Sequence, residues 1–322
     1  MLIKNLYDMA SHKPLINGSM PQEFKDAFAG SVLARNLTVV DPHIFEIKYP
    51  ELSFTNSGIT ANNTGGYGQV IQSLRTQSTG GFAVAGNLSS NNGKISMTGE
   101  TSSLMVTQLE AESSWSESEV KQSAMQNINL VSDYIKNHNK IYLRDIDQIG
   151  YVGRTGIGAG TGLLNHAGFT SAVATGAIAT LTGQQMYDDI SNLITAQHNA
   201  VNNTPEYMAT NVDMPTYVLN KLRVTMLNTA SSPASVLKAL KANFPGISFR
   251  GTFQADNAGG VGVSHTVAYS KNSESMQFRL PVPLTVGEIV KQGSFSFHVD
   301  SFFRVGGLDV LENAAGYILT GL

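Results

Sequence analysis

Between Ser116 and Ile149, apolar or small side chains recur at Val120, Ala124, Ile128, Val131, Ile135, Tyr142, Ile146 and Ile149. The steps are three, four or seven residues, so one helical face stays apolar over some 30 residues, roughly 45 Å at 1.5 Å per residue. Ser116 and Glu119 form an S-x-x-E capping box at its start. A helix of this length does not fit inside a small compact domain; it reads as a spine along which other elements lie. Asn137, His138 and Asn139 are where the pattern predicts a weakened or kinked middle. Trp115, the only tryptophan, stands just ahead of the cap and is expected to staple the helix start rather than to form a ligand platform.

The segment before the spine has few charges. From Leu52 to Gly93 the only charged residue is Arg75. Turn signals sit at Gly65-Gly66, Gly80-Gly81 and Asn92-Gly93, the last a strong hairpin dipeptide. Short β-like pieces lie around them, Gln69 to Leu74, Ile95 to Thr98 and Leu104 to Leu109. Residues 63–112 therefore read as a long, thin β-hairpin with few core residues. Such a ribbon is marginal in water and needs a partner surface, in its own chain or a neighbour's. The bland alternative is a mobile surface loop.

After the spine comes a second uncharged run, Thr155 to Tyr187, opening with the glycine loop Gly153 to Gly162. Thr182 and Gln185 cap a helix carrying Met186, Ile190, Leu193, Ile194 and Val201. Pro215 opens a short helix with Leu219 and Leu222. Ser232-Pro233 is expected to open another, with Val236, Leu237 and Leu240, that stops at Pro245-Gly246. The remainder reads as strand: Ile247 to Phe249, Val263 to Tyr269, Met276 to Leu284 and Ser294 to Val305. In the last, Phe295, Phe297, Val299, Phe303 and Val305 share one face, and Ser296, His298, Asp300 and Arg304 the other. Pro281 and Pro283 place their segment at a sheet edge. A hairpin, then helices, then strands is an α+β order rather than an alternating α/β one.

Chemistry finds little purchase here. There is no Cys, hence no disulfide, Cys-ligated metal or thiol nucleophile. His12, His43, His138, His166, His198, His265 and His298 show no metal-ligand spacing, and Asp188-Asp189 suits a helix first turn better than a metal. No G-x-S-x-G nucleophile elbow occurs. Gly156, Gly158, Gly160 and Gly162 resemble a phosphate cradle. A dinucleotide site, however, needs a strand before it and a helix after it, and a P-loop needs G-K-[ST]. A flexible connection needing positive φ is the plainer reading. No catalytic, cofactor-binding or metal-ligating residue is expected.

A net charge of −3 from 21 basic and 24 acidic residues excludes a strongly basic nucleic-acid binder. No apolar run reaches membrane-spanning length, and Asp8 and Lys13 interrupt the start where a signal peptide would be apolar. A soluble, cytoplasmically made protein is expected, beginning at Met1 with no cleaved propeptide evident. Only 14% of residues are charged, well under the usual quarter. Surface spent on neighbouring subunits is one reason for that.

Four features in this order resemble the major capsid proteins of tailed bacteriophages, which share the Hong Kong 97 fold. They are the N-terminal arm followed by a Gly-rich hairpin, the Ser116–Ile149 spine, and the junction GTGLLNHAGFTSAV from Gly160 to Val173. The fourth is the ending SFSFHVDSFFRVGGLDVLENAAGYI from Ser294 to Ile318, with its aromatic strand and Arg-x-Gly-Gly turn. The resemblance implies an arm and start of a peripheral domain over residues 1–62 and an extended hairpin loop over 63–112. It implies a peripheral domain with the spine over 113–170, an axial domain over 171–290, and a closing C-terminal β segment over 291–322. No residue maps to an autocatalytic crosslink.

It also implies a non-enzymatic subunit of hexamers and pentamers in an icosahedral virion shell, assembled in the host bacterial cytoplasm. Partners would be copies of itself, scaffold, portal and decoration proteins, and packaged double-stranded DNA held without sequence specificity. A slightly acidic chain would let that DNA slide. Deleting residues 68–92 is expected to leave a folded subunit that does not assemble. Three alternatives stay open: an encapsulin-like nanocompartment shell, another surface-lattice protein, and a nucleotide-binding enzyme using Gly153–Gly162.

Overall fold

A computed structural model describes residues 52–84, 93–125, 129–228 and 232–322, all within one compact unit, Tyr49–Leu322. The expected arm lies outside the described residues as far as residue 51, and so does Asn92 of the expected turn.

In chain order, a 3-10 turn at Phe54–Asn56 leads to β1 (Ala61–Asn62), β2 (Val70–Gly80), β3 (Ile95–Met105) and β4 (Thr107–Ser116). Helices α1 (Glu117–Met125) and α2 (Leu130–Tyr151) follow, then β5 (Thr170–Val173), α3 (Gly183–Ala200), β6 (Asn211–Pro215) and α4 (Thr216–Val224). Next come β7 (Met226–Asn228), β8 (Ser232–Ser235), α5 (Val236–Asn243), β9 (Ser248–Thr252), β10 (His265–Tyr269) and β11 (Met276–Arg279). The chain closes with β12 (Val282–Val286), β13 (Val290–Gln292), β14 (Ser296–Val305), β15 (Gly307–Val310) and β16 (Gly316–Thr320).

The spine is divided. The Ser116 capping box forms in both directions: Glu119 N–H donates to Ser116 Oγ at 3.2 Å, and Ser116 N–H to Glu119 Oε2 at 2.8 Å. That helix is described over Glu117–Met125, and a second begins at Leu130, its start capped by the non-helical Asn129, whose side chain accepts from Ser132 N–H. The apolar period hides this break because its phase is kept on both sides. The expected kink at Asn137 to Asn139 does not occur. His138 is buried there, 2.7 Å from Ser113 Oγ on β4 and 2.5 Å from Ser301 Oγ on β14, so its polar ring is satisfied without opening the helix. Trp115 is buried and stacks on Tyr134 of α2 (5.3 Å, 13°).

Two further expectations shift. The helix expected at Ser232-Pro233 starts at Val236: those residues form β8, paired with β7, and Ser235 is the cap. The expected strand Met276 to Leu284 is two. Pro281 cannot donate to a ladder, and the chain changes sheets there, β11 pairing with β1 and β15, β12 with the edge of β14.

A five-stranded sheet, ordered β5-β16-β10-β6-β9, divides two hydrophobic cores. Alternation along its strands supplies both. Val267, Tyr269 and Ile318 enter the core shared with α2, Phe278 and Phe303. Ala268, Leu319, Val212 and Met214 enter the core under α3, α4 and α5. In a separate sheet, β14 pairs along its whole length with β4, Val305 facing Thr107 and Ser296 facing Ser116, and lays Phe303 against Tyr142 of α2 (4.9 Å).

Candidate assembly surfaces

The most exposed element is the β2–β3 ribbon. Its register runs unbroken from Val70↔Met105 to Gly80↔Ile95. Eleven residues per strand make about 37 Å. Nearly every side chain is exposed, including Leu74, Met97, Met105 and, beyond the ladder, Phe82 at 96% and Val84 at 97%. Apolar groups held in water on a two-stranded ribbon are the mark of a surface awaiting a partner.

Its base is fastened by charged groups. Arg279 Nε donates to Asp309 Oδ2 at 2.9 Å, both side chains buried. Ser73 of β2 joins this pair, donating to Asp309 at 3.1 Å and accepting from Arg279 Nη2 at 2.9 Å. Arg75 donates to the Leu311 carbonyl at 3.1 Å and pairs with Glu312. Arg304 reaches the carbonyls of Gly66 and Gly68 at 2.9 and 3.0 Å and lies 5.6 Å from the Tyr67 ring centroid. Arg75, the one charge between Leu52 and Gly93, is thus a fastening. Ser73, Arg279, Asp309 and Arg304 carried no sequence signal of this role.

The glycine loop packs against the same base. A Cβ at Gly158 would overlap the Gly306 carbonyl, and Gly158 has φ +53°. Ile157, Leu163 and Leu164 are buried. The loop's amides are used internally: Ile157 donates to Arg154, Gly160 to Ile157, Gly162 to Asn165 Oδ1, Leu163 to Gly150 and Leu164 to Tyr151. A phosphate cradle presents such amides to a ligand; here they close the end of α2. The positive-φ reading holds, but the loop is packed rather than free.

A polar network holds the end of α2 to the five-stranded sheet. Asp213, with no exposure, takes Arg250 Nε at 2.8 Å and Nη2 at 2.7 Å. The hydroxyls of Tyr151 and Tyr269 lie 3.1 and 3.2 Å from Asp213 Oδ2. Burial first, then the Asp213 charge, pushes both phenols well above their ordinary pKa, so both remain donors. For Arg250, burial acts downward, but the hydrogen bond and charge of Asp213 prevail and raise it. The strap at residues 53–57 lies over this network. Ser57 O accepts from Asn211 at 2.7 Å, Asn56 O from Arg250, and Phe54 N–H donates to Asp147 at 2.8 Å. The Phe54 ring fills the space above Gly150. Burial lowers the His166 and His198 pKa values, holding both rings neutral near pH 7.

A spine split across two helices, a projecting ribbon and a sheet shared between two cores define a shell-forming subunit of Hong Kong 97 type. Solved capsids share this fold. The chain is 43% identical to one titled the capsid of Myoviridae Phage XM1, over 90% of this chain and 98% of that one, with a TM-score of 0.82. The capsid of a native GTA particle (13% identity, 90% and 98% covered, TM-score 0.67) and that of Mycobacterium phage Ogopogo (10%, 90% and 98%, 0.60) share the fold alone. No curated protein matches. The family model described as major capsid protein matches residues 85–321, and the chain belongs to that family. It is a structural subunit of a tailed-phage head, present in the virion as one of many copies in a shell.

Proposed function

We propose that the subunit acts without catalysing a reaction and builds an icosahedral head from hexamers and pentamers around double-stranded DNA, in the cytoplasm of the host bacterium. Scaffold, portal and decoration proteins are its further partners. Residues 1–62 serve as arm and start of the peripheral domain, 63–112 as the extended loop, 113–170 as the peripheral domain, 171–290 as the axial domain and 291–322 as the closing segment. The observation that carries this reading is the β2–β3 ribbon, fastened at its base by charged groups yet exposed along its length, with Leu74, Ile95 and Met97 left in water. It lies across a neighbouring copy. Ring closure then lets several modest contacts hold the shell together.

The register refines the test. Removing 68–92 would take β2 and leave β3 unpaired. Replacing residues 76–99 with Asn-Gly removes equal lengths of both strands, because Thr76 faces Gly99. That variant should keep the parent's far-UV circular dichroism and remain as unassembled subunits or capsomers by electron microscopy. Normal shells from it would overturn the loop's role.

A further inference from the structure

Between Asp213 and Asp256 the chain carries Lys221, Arg223, Lys238, Lys241 and Arg250 and no carboxylate, so all 24 acidic residues lie outside this span. Arg250 is occupied by Asp213. The other four are exposed, on α4 and α5. The connection gathers them. The chain leaves α4 at Val224, turns through the antiparallel β7–β8 pair, and enters α5 where Val236 N–H donates to the Thr225 carbonyl at 3.0 Å. The last turn of α4, with Lys221 and Arg223, therefore meets the first turn of α5, with Lys238. Lys241 follows three residues on, on the same side of that helix.

None of the four makes an ion pair among the described residues; Arg223 Nη1 donates to Asn220 Oδ1 at 3.3 Å. On α3, the third helix of this layer, Asp188 accepts from Gln184, and Asp189 is buried and binds Thr175. Lys238 also stands at the positive end of its own helix, where a cation is disfavoured. The grouping thus works against the stability of the isolated subunit, and an external anion relieves it.

We propose that this basic face of α4 and α5 is where the subunit meets the phosphate backbone of packaged duplex DNA. The proposal rests on the reading of a DNA-filled shell. Four cations give a salt slope of at most about −3.6, well below that of proteins that grip DNA with many contacts. The acidic remainder of the chain repels phosphate. The contact is therefore local, weak and blind to sequence, and the duplex still slides.

The test uses the full-length chain as unassembled capsomers and the anisotropy of a short fluorescent duplex. Affinity should fall by up to about 150-fold between about 50 and 200 mM salt. The variant Lys221→Gln, Arg223→Gln, Lys238→Gln, Lys241→Gln should lose binding at the lower salt and still form shells. The pair Lys238→Gln, Lys241→Gln should halve the slope. Wild-type capsomers that ignore the duplex, or a four-site variant that binds it equally well, would overturn the proposal. So would a four-site variant that stays folded but no longer assembles, since the face would then serve an acidic surface of a neighbouring copy. Shell formation by the wild-type chain is a separate readout, so a failure of the shell reading is seen independently of the DNA result.

Discussion

Asp213 is a carboxylate with no solvent exposure, and its four close donors are Arg250 Nε and Nη2 and the hydroxyls of Tyr151 and Tyr269. Its partners lie 37, 62 and 56 positions away in sequence, so nothing local in Asn211–Pro215 reveals the network. Asp213→Ala would leave a partly exposed guanidinium and two buried hydroxyls without their acceptor. Breaking such a pair from one side costs about 3–5 kcal/mol. The urea midpoint of the unassembled subunit should fall accordingly; a loss below about 1 kcal/mol would mean water replaces the carboxylate. Histidine shows the same limit. His138 had no partner visible in sequence, and it takes two serines from two different strands.

Elements were legible where their signals are local. The capping boxes at Ser116 and Thr182 form as spaced, as does the helix opened by Pro215. The hairpin was readable from its turn residues, but its end was not: the sequence carries it to residue 112, whereas the ladder stops at Val70↔Met105 and β4 leaves the ribbon to pair with β14, because pairing depends on cross-strand register. Helix division was missed because Asn129 competes through one side-chain hydrogen bond that periodicity does not register. At this scale Arg75 makes a specific prediction. Its side chain is 53% exposed, so Arg75→Ala should change subunit stability by less than about 1 kcal/mol. It also removes the tie to Leu311 and Glu312 that holds the ribbon. Limited proteolysis within residues 70–105 should then run several times faster at an unchanged melting temperature. Equal cleavage rates would show that Ser73 and Arg304 suffice.

In the whole molecule, the two cores are coupled through one sheet. Along β10, Val267 and Tyr269 face one core and Ala268 the other; along β16, Ile318 and Leu319 divide the same way. Neither core can lose its packing while the other keeps a complete wall. Calorimetry of the unassembled subunit should therefore show a single transition for residues 49–322. Two resolved transitions would mean that the parts built on the two cores unfold separately.

The sequence by itself determined the order of the elements, the α+β class and the exposed ribbon, since these rest on period, turn chemistry and composition over short spans. The tertiary structure alone decided that the spine breaks at Asn129, that the Met276 strand changes sheets at Pro281, and that the glycine loop spends its amides on the end of α2. It alone decided that Arg75, Arg279 and Arg304 fasten the ribbon. Each of these outcomes depends on a partner tens to hundreds of residues away or on a choice between competing hydrogen bonds, and only the folded chain brings those groups within reach.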